Sequence, residues 1–584
     1  MRPAGNGTSL PPPPVDGHRL LRWLDSPRGD RGIRFAGPGE RWEFHSYESL
    51  AAAARHQAWL LQDRGVRPGS VIALVHTTSP DYVGAFFGCL MLGATPAPIA
   101  PPTRFQGMAQ YRQYLSRALR LSGASTVSTT SGLAGAVTQA ADDNGAAIVI
   151  ADEPRTAKAE WHGEPVPPVI GLLQLSSGTT GPSRGLLIPI SSLEANIDTI
   201  VSWTNGQTAD DAVASWAPLH HDMGLIGCLL APVSRNVDAW LMQPDQFVRA
   251  PLRWLRCFGE HGATHTAVPN FGLGHVLRRV SRKSLEGSDF SGWRALIVGS
   301  ERVDASTIEE FSTLLNPFGF SAKAILPAYG LAEATLAVTG ARPDEDVTVV
   351  AVRRESMVSG REIQVYPGNA RHETLAALRL VGCGRPLPGI DVDIIDRHGN
   401  PLGELLLGEV QVRGEGMARG YVGAEEKTEK LLRGVVRTGD AGFFLNGELF
   451  VVGRIGDSIK VRGRWLFAEE VDEIVSTFTA AKDYCSAILG AFGGTEAIIV
   501  LAEGGTVESV SALGTVMANH ISGVRILVLG VSRGSILRTT SGKPRRRAMR
   551  DRLLAGELPV VAAWDSDPQS RGFGESANDG VRYQ

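Results

Sequence analysis

At 584 residues the chain exceeds what a single hydrophobic core holds and calls for about two or three domains. Its 43% hydrophobic and 20% charged residues, with a formal net charge of -3, are ordinary for a soluble globular protein and give no electrostatic reason to expect nucleic acid or an anionic membrane as partner. The cysteines (Cys89, Cys228, Cys257, Cys383 and Cys485) are far apart and form no CxxC pair, which argues against a disulfide framework or structural zinc and points to a reducing, cytoplasmic setting.

Residues 1–15 are rich in Pro and Gly without an apolar core, so they read as a disordered start, neither signal peptide nor anchor. No apolar run approaches the roughly 20 residues of a membrane helix. Apolar spacing predicts a helix over Ser49 to Asp63, and the turn Arg64 to Gly69 leads into a strand, Val71 to Val75. A helix over Pro80 to Leu92, an extended run Thr95 to Ile99, a helix over Met108 to Leu121 and a strand Ala147 to Ile150 follow. Such alternation is the pattern of an α/β domain, and these segments read as scaffold.

Leu175 to Leu186 differs in kind. It sets Ser176, Ser177, Thr179, Thr180 and Ser183 among Gly178, Gly181 and Gly185, adds the cation Arg184, and has mostly apolar flanks. Glycines let backbone N–H groups turn inward as an anion nest, hydroxyls donate to phosphate oxygens, and Arg184 supplies charge. A plain Ser/Thr/Gly linker is the competing interpretation. A P-loop is excluded, because the Gly-Lys-Ser/Thr ending is absent and a strand rather than a helix is expected next.

Farther on, Pro218-Leu219-His220-His221-Asp222-Met223-Gly224 could suggest a metal site, but adjacent histidines diverge and no further ligand follows at regular spacing. Leu296 to Glu301 reads as a buried strand ending in a tight turn, where Gly299 and Ser300 would let backbone approach a flat ligand. A helix over Ala305 to Leu315 and a strand over Ala322 to Leu326 lead to Tyr329-Gly330-Leu331-Ala332-Glu333-Ala334-Thr335. The Tyr329 face can stack on adenine, Gly330 permits a sharp turn, and Glu333 is a hard oxygen ligand suited to Mg²⁺ bound with ATP. Residues 350–380 are polar and irregular. Two β-rich runs, Val392 to Ile395 and Glu409 to Arg413, flank a hairpin turn at Arg397 to Gly403. Thr438-Gly439-Asp440 sets a carboxylate after a tight turn, and Asp440 can accept from both hydroxyls of a ribose. Near the end, Arg538 to Arg547 is basic enough to be a nucleic-acid patch. Residues from about Trp564 onward read as a disordered tail.

Taken in order from Tyr47 to Arg550, these motifs resemble the acyl-adenylating superfamily of acyl-CoA synthetases, peptide-synthetase adenylation domains and luciferases. The forms Pro-Leu-x-His-Asp-Met-Gly, Ala-Thr-His-x-x-x-Pro-Asn-Phe (Ala263 to Phe271) and Tyr-Gly-Leu-Ala-Glu-Ala-Thr are most similar to its fatty acyl-AMP ligases. The resemblance implies a large α/β N-terminal domain of stacked sheets over 16–456, with an insertion at 350–380 and a small β-barrel subdomain at 382–456. A small mobile α+β C-terminal domain over 457–560 and a tail over 561–584 would follow. It further implies that His221, with Asp222, Pro269 and Asn270, borders the acyl pocket, that Arg454 joins Asp440 at the ribose, that Asp457 is the hinge, and that Lys543 is catalytic, with the arginines after it a solvated helix face. Arg184 stands where most members carry Lys, and Ala332 where most carry the Thr that touches the α-phosphate. The expected activity is ATP- and Mg²⁺-dependent activation of a carboxylic acid, with an acyl carrier protein phosphopantetheine as acceptor. A CoA-forming synthetase, an adenylase for an unusual acid and a degenerate adenylate-binding module are the rivals; Glu333, Asp440 and Lys543 disfavour the last.

Overall fold

A computed structural model of the chain describes residues 19–567 except 104–106, 155–160, 162, 176–183, 206–209, 368–376, 415, 424–427, 429–430, 432–433, 479–484, 493–494 and 539–543. The expectations for residues 1–15, Ser176, Ser177, Gly178, Thr179, Thr180, Gly181 and Lys543 lie outside the described residues.

Alternation along each strand builds the layers. In the parallel sheet ordered Thr95–Pro98, Val71–Val75, Thr126–Thr129, Ala147–Ile150, Ile72 and Leu74 pack with the helices Tyr47–Asp63 and Pro80–Met91. Ala73 and Val75 face the other way, onto Met108–Ser122 and Ser131–Asp142. A strand buried on both faces reads as one apolar run, and Val71–Val75 does so. The first helix pair also covers Ile33, Ala239 and Leu241 of a nine-stranded sheet, so it lies between two sheets.

That larger sheet runs parallel through Ile325–Gly330, Ala295–Gly299, His265–Pro269, Ala212–Ser215, Asp238–Leu241 and Gly32–Ala36. Antiparallel strands close both edges, Trp42–Ser46 at one and Ala337–Gly340 with Arg385–Pro386 at the other. Its far face is aromatic, with Phe258 stacked on Trp293 at 3.7 Å and Trp216 on Phe247 at 4.1 Å. Ile170–Leu175 and Gly185–Pro189 pair antiparallel across residues 176–183, so a strand does follow that stretch, and the two-residue strand Gly420–Tyr421 adds to its edge.

The region expected as a small barrel contains a four-stranded antiparallel sheet, Ile390–Ile395, Gly408–Gly414, Val435–Leu445 and Glu448–Arg454. The C-terminal part has its own sheet, Cys485–Phe492, Thr495–Glu503, Arg525–Val531 and Val560–Asp565. There Ile498 and Val500 face the helix Val507–His520, while Ile499 and Leu501 face Arg546–Leu554.

Several expectations are corrected. Ala322–Ala324 is a 3-10 turn and the strand is Ile325–Gly330. Asp440 lies inside an eleven-residue strand, not after a turn; Gly439, at φ 74°, distorts it and its N–H donates to Glu409 at 3.1 Å. Residues 561–565 are not part of a disordered tail, because Val560–Asp565 pairs with Arg525–Val531 and Trp564 covers Gly514, where a Cβ would clash with the indole. Arg546 is not solvated: it is 8% exposed, pairs with Asp472 and donates to the Ala487 carbonyl at 3.1 Å.

Candidate functional site

The site forms at the carboxyl ends of the parallel strands, where open α/β sheets bind ligands. Pro269 and Gly299 end neighbouring strands in register, with Asn270 and Ser300 just beyond. Ser300 takes φ 70°, a backbone state that non-glycine residues enter at a cost. The Asn270 carboxamide accepts from the Asp304 N–H at 3.1 Å and Glu301 accepts from the Phe271 N–H at 2.6 Å, so these side chains pin the strand ends to each other.

Tyr329 and Gly330 end the next strand. Gly330 is required by close approach rather than by a turn, since a Cβ there would meet the Leu336 carbonyl at 2.0 Å. Ala332–Ala334 then forms a 3-10 turn that holds Glu333. Three contacts clamp this turn: Ala418 N–H donates to the Glu333 carbonyl at 2.8 Å, the buried Thr335 hydroxyl donates to Gly416 at 2.7 Å, and the Asn196 amide donates to Ala337 at 3.1 Å.

Asp440 is 6% exposed and sits opposite Arg454 in the antiparallel pair. It accepts from the Tyr329 hydroxyl at 2.6 Å and from Arg454 Nε at 2.8 Å. Burial, then the Asp440 carboxylate, raises the Tyr329 phenol well above its ordinary value, so it stays a donor. Burial is the largest influence on Arg454 and opposes its charge, but Asp440, together with Tyr329, Glu333 and Asp457, outweighs it and holds the guanidinium protonated.

A second group meets at Tyr421. Its hydroxyl donates to Glu333 Oε1 at 2.6 Å, and the Arg184 guanidinium lies 5.7 Å from its ring centroid. His221 Nδ1 is 2.6 Å from Asp222 Oδ1, which also accepts from the Met223 N–H at 2.8 Å and so caps the π-helix Met223–Leu230. Behind them Ala217, Met223, Cys228 and Ala267 form a small apolar cluster with Val213, Ile297 and Leu336 against it. Among the described residues, no group of three or more His, Cys, Asp or Glu side chains could hold a metal.

Asp457 lies in the 3-10 turn Ile455–Asp457, where burial and then Glu469 raise its carboxyl. Downstream, the helix Ala468–Phe478 offers Glu470 and Glu473 to the large domain. Arg354, in the inserted segment, contacts Glu470 at 2.9 Å with exposures of 8% and 1%, and Arg302, three residues past Gly299, donates to Glu473 at 2.9 Å. The sequence reading missed Tyr421, Arg302 and Arg354 as contacts. Arg354 stood in a visibly charged segment, whereas a two-residue strand at Tyr421 gives no periodic signal.

Site residues gathered at the carboxyl ends of parallel strands, with a smaller C-terminal domain that reaches them through Glu470 and Glu473, fit an adenylate-forming ligase. Residues 27–422 match the AMP-binding enzyme family, and the chain belongs to it. It is 32% identical to a Caulobacter vibrioides protein provisionally named an acyl-CoA synthetase, covering 93% of this chain and 98% of the other. It is 30% identical to the medium-chain-fatty-acid–[acyl-carrier-protein] ligase JamA of Moorena producens, over 88% and 90% of the two chains. A structure from studies of fatty acyl-adenylate ligases of E. coli and L. pneumophila superposes with a TM-score of 0.81 at 28% identity, covering 91% of this chain and 96% of that one. No helix among the described residues is long and apolar enough to cross a membrane.

Proposed function

We propose that the chain joins a fatty or related acyl acid to AMP and passes the acyl group to the phosphopantetheine thiol of an acyl carrier protein. The observation that carries this is the convergence, on the seven residues from Tyr329 to Thr335, of the Asp440–Arg454 pair from one side and Tyr421 with Arg184 from the other. A carboxylate oxygen attacks the α-phosphorus, the bond from that phosphorus to the bridging oxygen breaks, and its electron pair leaves with pyrophosphate. Both reactants are anions, so catalysis is mostly positioning and charge neutralisation. Asp440 and Arg454 hold the ribose, Tyr329 and the Gly299–Ser300 backbone hold the adenine, Arg184 and residues 176–183 hold the leaving phosphates, and Lys543 bridges the carboxylate and α-phosphate.

Mg²⁺ typically takes one or two carboxylates plus substrate phosphates, which suits Glu333 where no group of three or more potential ligands occurs among the described residues. When bound, the ion would offset charge on the phosphate oxygens. His221, Asp222, Pro269 and Asn270 border the acyl entrance, and the apolar cluster behind His221 suits a hydrocarbon chain.

For the acceptor, the inserted segment is the relevant feature. Its strands Val349–Arg353 and Ala377–Val381 bury Val352, Met357, Ile363, Leu378 and Leu380 with Phe443, Phe450 and Phe467, and Arg354 ties it to Glu470. A C-terminal domain held this way has to release those contacts before turning about Asp457. A CoA synthetase is the second reading, favoured by the name of the Caulobacter relative. Acid-dependent ATP–pyrophosphate exchange tests the adenylation. Mass spectrometry with CoA or phosphopantetheinylated carrier as sole acceptor tests the second half; rapid acyl-CoA formation selects the other reading.

A further inference from the structure

We propose that Tyr421 is a positioning residue that fixes the Glu333 carboxylate for the metal–nucleotide complex and ties it to the phosphate-binding strand. The proposal rests on Glu333 as the metal ligand. Tyr421 has three attachments. Its hydroxyl donates to Glu333 Oε1 at 2.6 Å, its ring lies under Arg184 at 5.7 Å, and its own backbone pairs with Leu186 while the Val422 N–H donates to the Gly185 carbonyl at 2.8 Å.

A glutamate has several rotatable bonds and loses much of their freedom when it binds an ion. A hydroxyl that holds one carboxylate oxygen sets the rotamer beforehand and directs the other oxygen, which is how partners behind a metal ligand commonly act. Because Tyr421 follows Gly185 and Arg184 through main-chain bonds, the carboxylate and the cation that face the phosphates keep a fixed spacing. The same segment clamps the other end of the turn through Ala418 and Gly416.

The test uses the full-length protein, wild type, Tyr421→Phe, Glu333→Gln and the double variant. Binding of Mn²⁺ in the presence of ATP is read from the paramagnetic resonance of free Mn²⁺, and binding of ATP alone, with chelator, from calorimetry. Tyr421→Phe keeps the ring and should weaken Mn²⁺ binding about 10- to 100-fold, the usual scale for a partner behind a metal ligand. ATP alone should bind as before, and the double variant should be no worse than Glu333→Gln. Unchanged Mn²⁺ affinity in Tyr421→Phe, equal loss of ATP binding without metal, or additive losses in the double variant would each overturn the proposal. If Glu333→Gln also binds Mn²⁺ normally, the metal assignment of Glu333 fails with it; if only Tyr421→Phe is silent, that assignment stands. Should Tyr421→Phe not fold, Tyr421→Leu, which stays apolar and likewise lacks the donor, is read against the same outcomes.

Discussion

Asp440→Asn separates what Asp440 does for the fold from what it does for ATP. The carboxylate is 6% exposed and accepts 2.6 Å and 2.8 Å bonds from Tyr329 and Arg454. A hydrogen bond to a charged group contributes about 1.5–3 kcal/mol, but asparagine still offers an oxygen to Tyr329 and recovers part of it. Arg454 is 39% exposed, so water screens that pair and its share falls to about 0–1 kcal/mol. The expected loss of folding stability is therefore about 1–2 kcal/mol. Nucleotide binding should suffer more. An ionised carboxylate has about four acceptor positions, so serving Tyr329 and Arg454 is compatible with accepting both ribose hydroxyls. Weakening two such bonds is worth about 2–4 kcal/mol, or roughly 30- to 1000-fold in the ATP dissociation constant. Calorimetry with ATP and urea unfolding on the same protein measure both. If stability falls while ATP affinity is unchanged, Asp440 only staples Tyr329 to Arg454 and the ribose assignment is wrong.

Lys543→Ala should slow acid-dependent pyrophosphate exchange at least about 10²-fold, the scale for one transition-state donor, with far less change in ATP affinity; near-normal exchange removes Lys543 from the mechanism. Arg302→Ala with Arg354→Ala should raise acyl-CoA output from free CoA while adenylation continues, measured by mass spectrometry, and unchanged output would mean these contacts do not restrain the C-terminal domain. Glu470 keeps Arg464 at 2.6 Å, so the buried charge is not stranded in that variant. Burial pushes His76 and His265 down to about 4, so both are neutral in the folded protein. Each then binds a proton only on unfolding, and stability should fall as pH drops from about 6.5 toward about 4, by up to about 1.4 kcal/mol per pH unit per histidine. Urea unfolding across that window checks the slope, which should shrink in His76→Gln; an identical slope in that variant refutes the His76 share.

What was legible in the sequence was local. The helix Ala305–Leu315 and the strand Val71–Val75 were expected within their observed bounds, because each shows one periodicity between clear turn residues. The strands Gly32–Ala36 and Thr126–Thr129 were missed, and their places depend on distant partners: Gly32 is fixed by the Asp238 carboxylate at 2.8 Å and Thr126 by Ile72 and Ala147. The same distinction runs through the site. Tyr329, Glu333 and Asp440 announce themselves because their chemistry is unusual for their surroundings, an aromatic and two carboxylates at strand ends or bulges. Tyr421, Arg302 and Arg354 have ordinary surroundings in the sequence, and only their partners 88, 171 and 116 positions away give them meaning.

The turn that carries Glu333 shows why the partners had to be distant. A hydroxylated β-branched residue, Thr335, is held at φ 68° and fully buried, a costly backbone state. Locally its N–H donates to the Ala332 carbonyl at 3.0 Å, and distant bonds add to that. These are its hydroxyl bond to Gly416 and the Ala418 bond to the Glu333 carbonyl, and both come from the segment that goes on to Tyr421. Displacing that segment would release the strained turn and move the carboxylate away from the Tyr421 hydroxyl in one step. Strain at Thr335, the position of Glu333 and the pairing of Gly420–Tyr421 with the strand after Arg184 are thus one cooperative unit, built from three parts of the chain that sequence spacing keeps far apart.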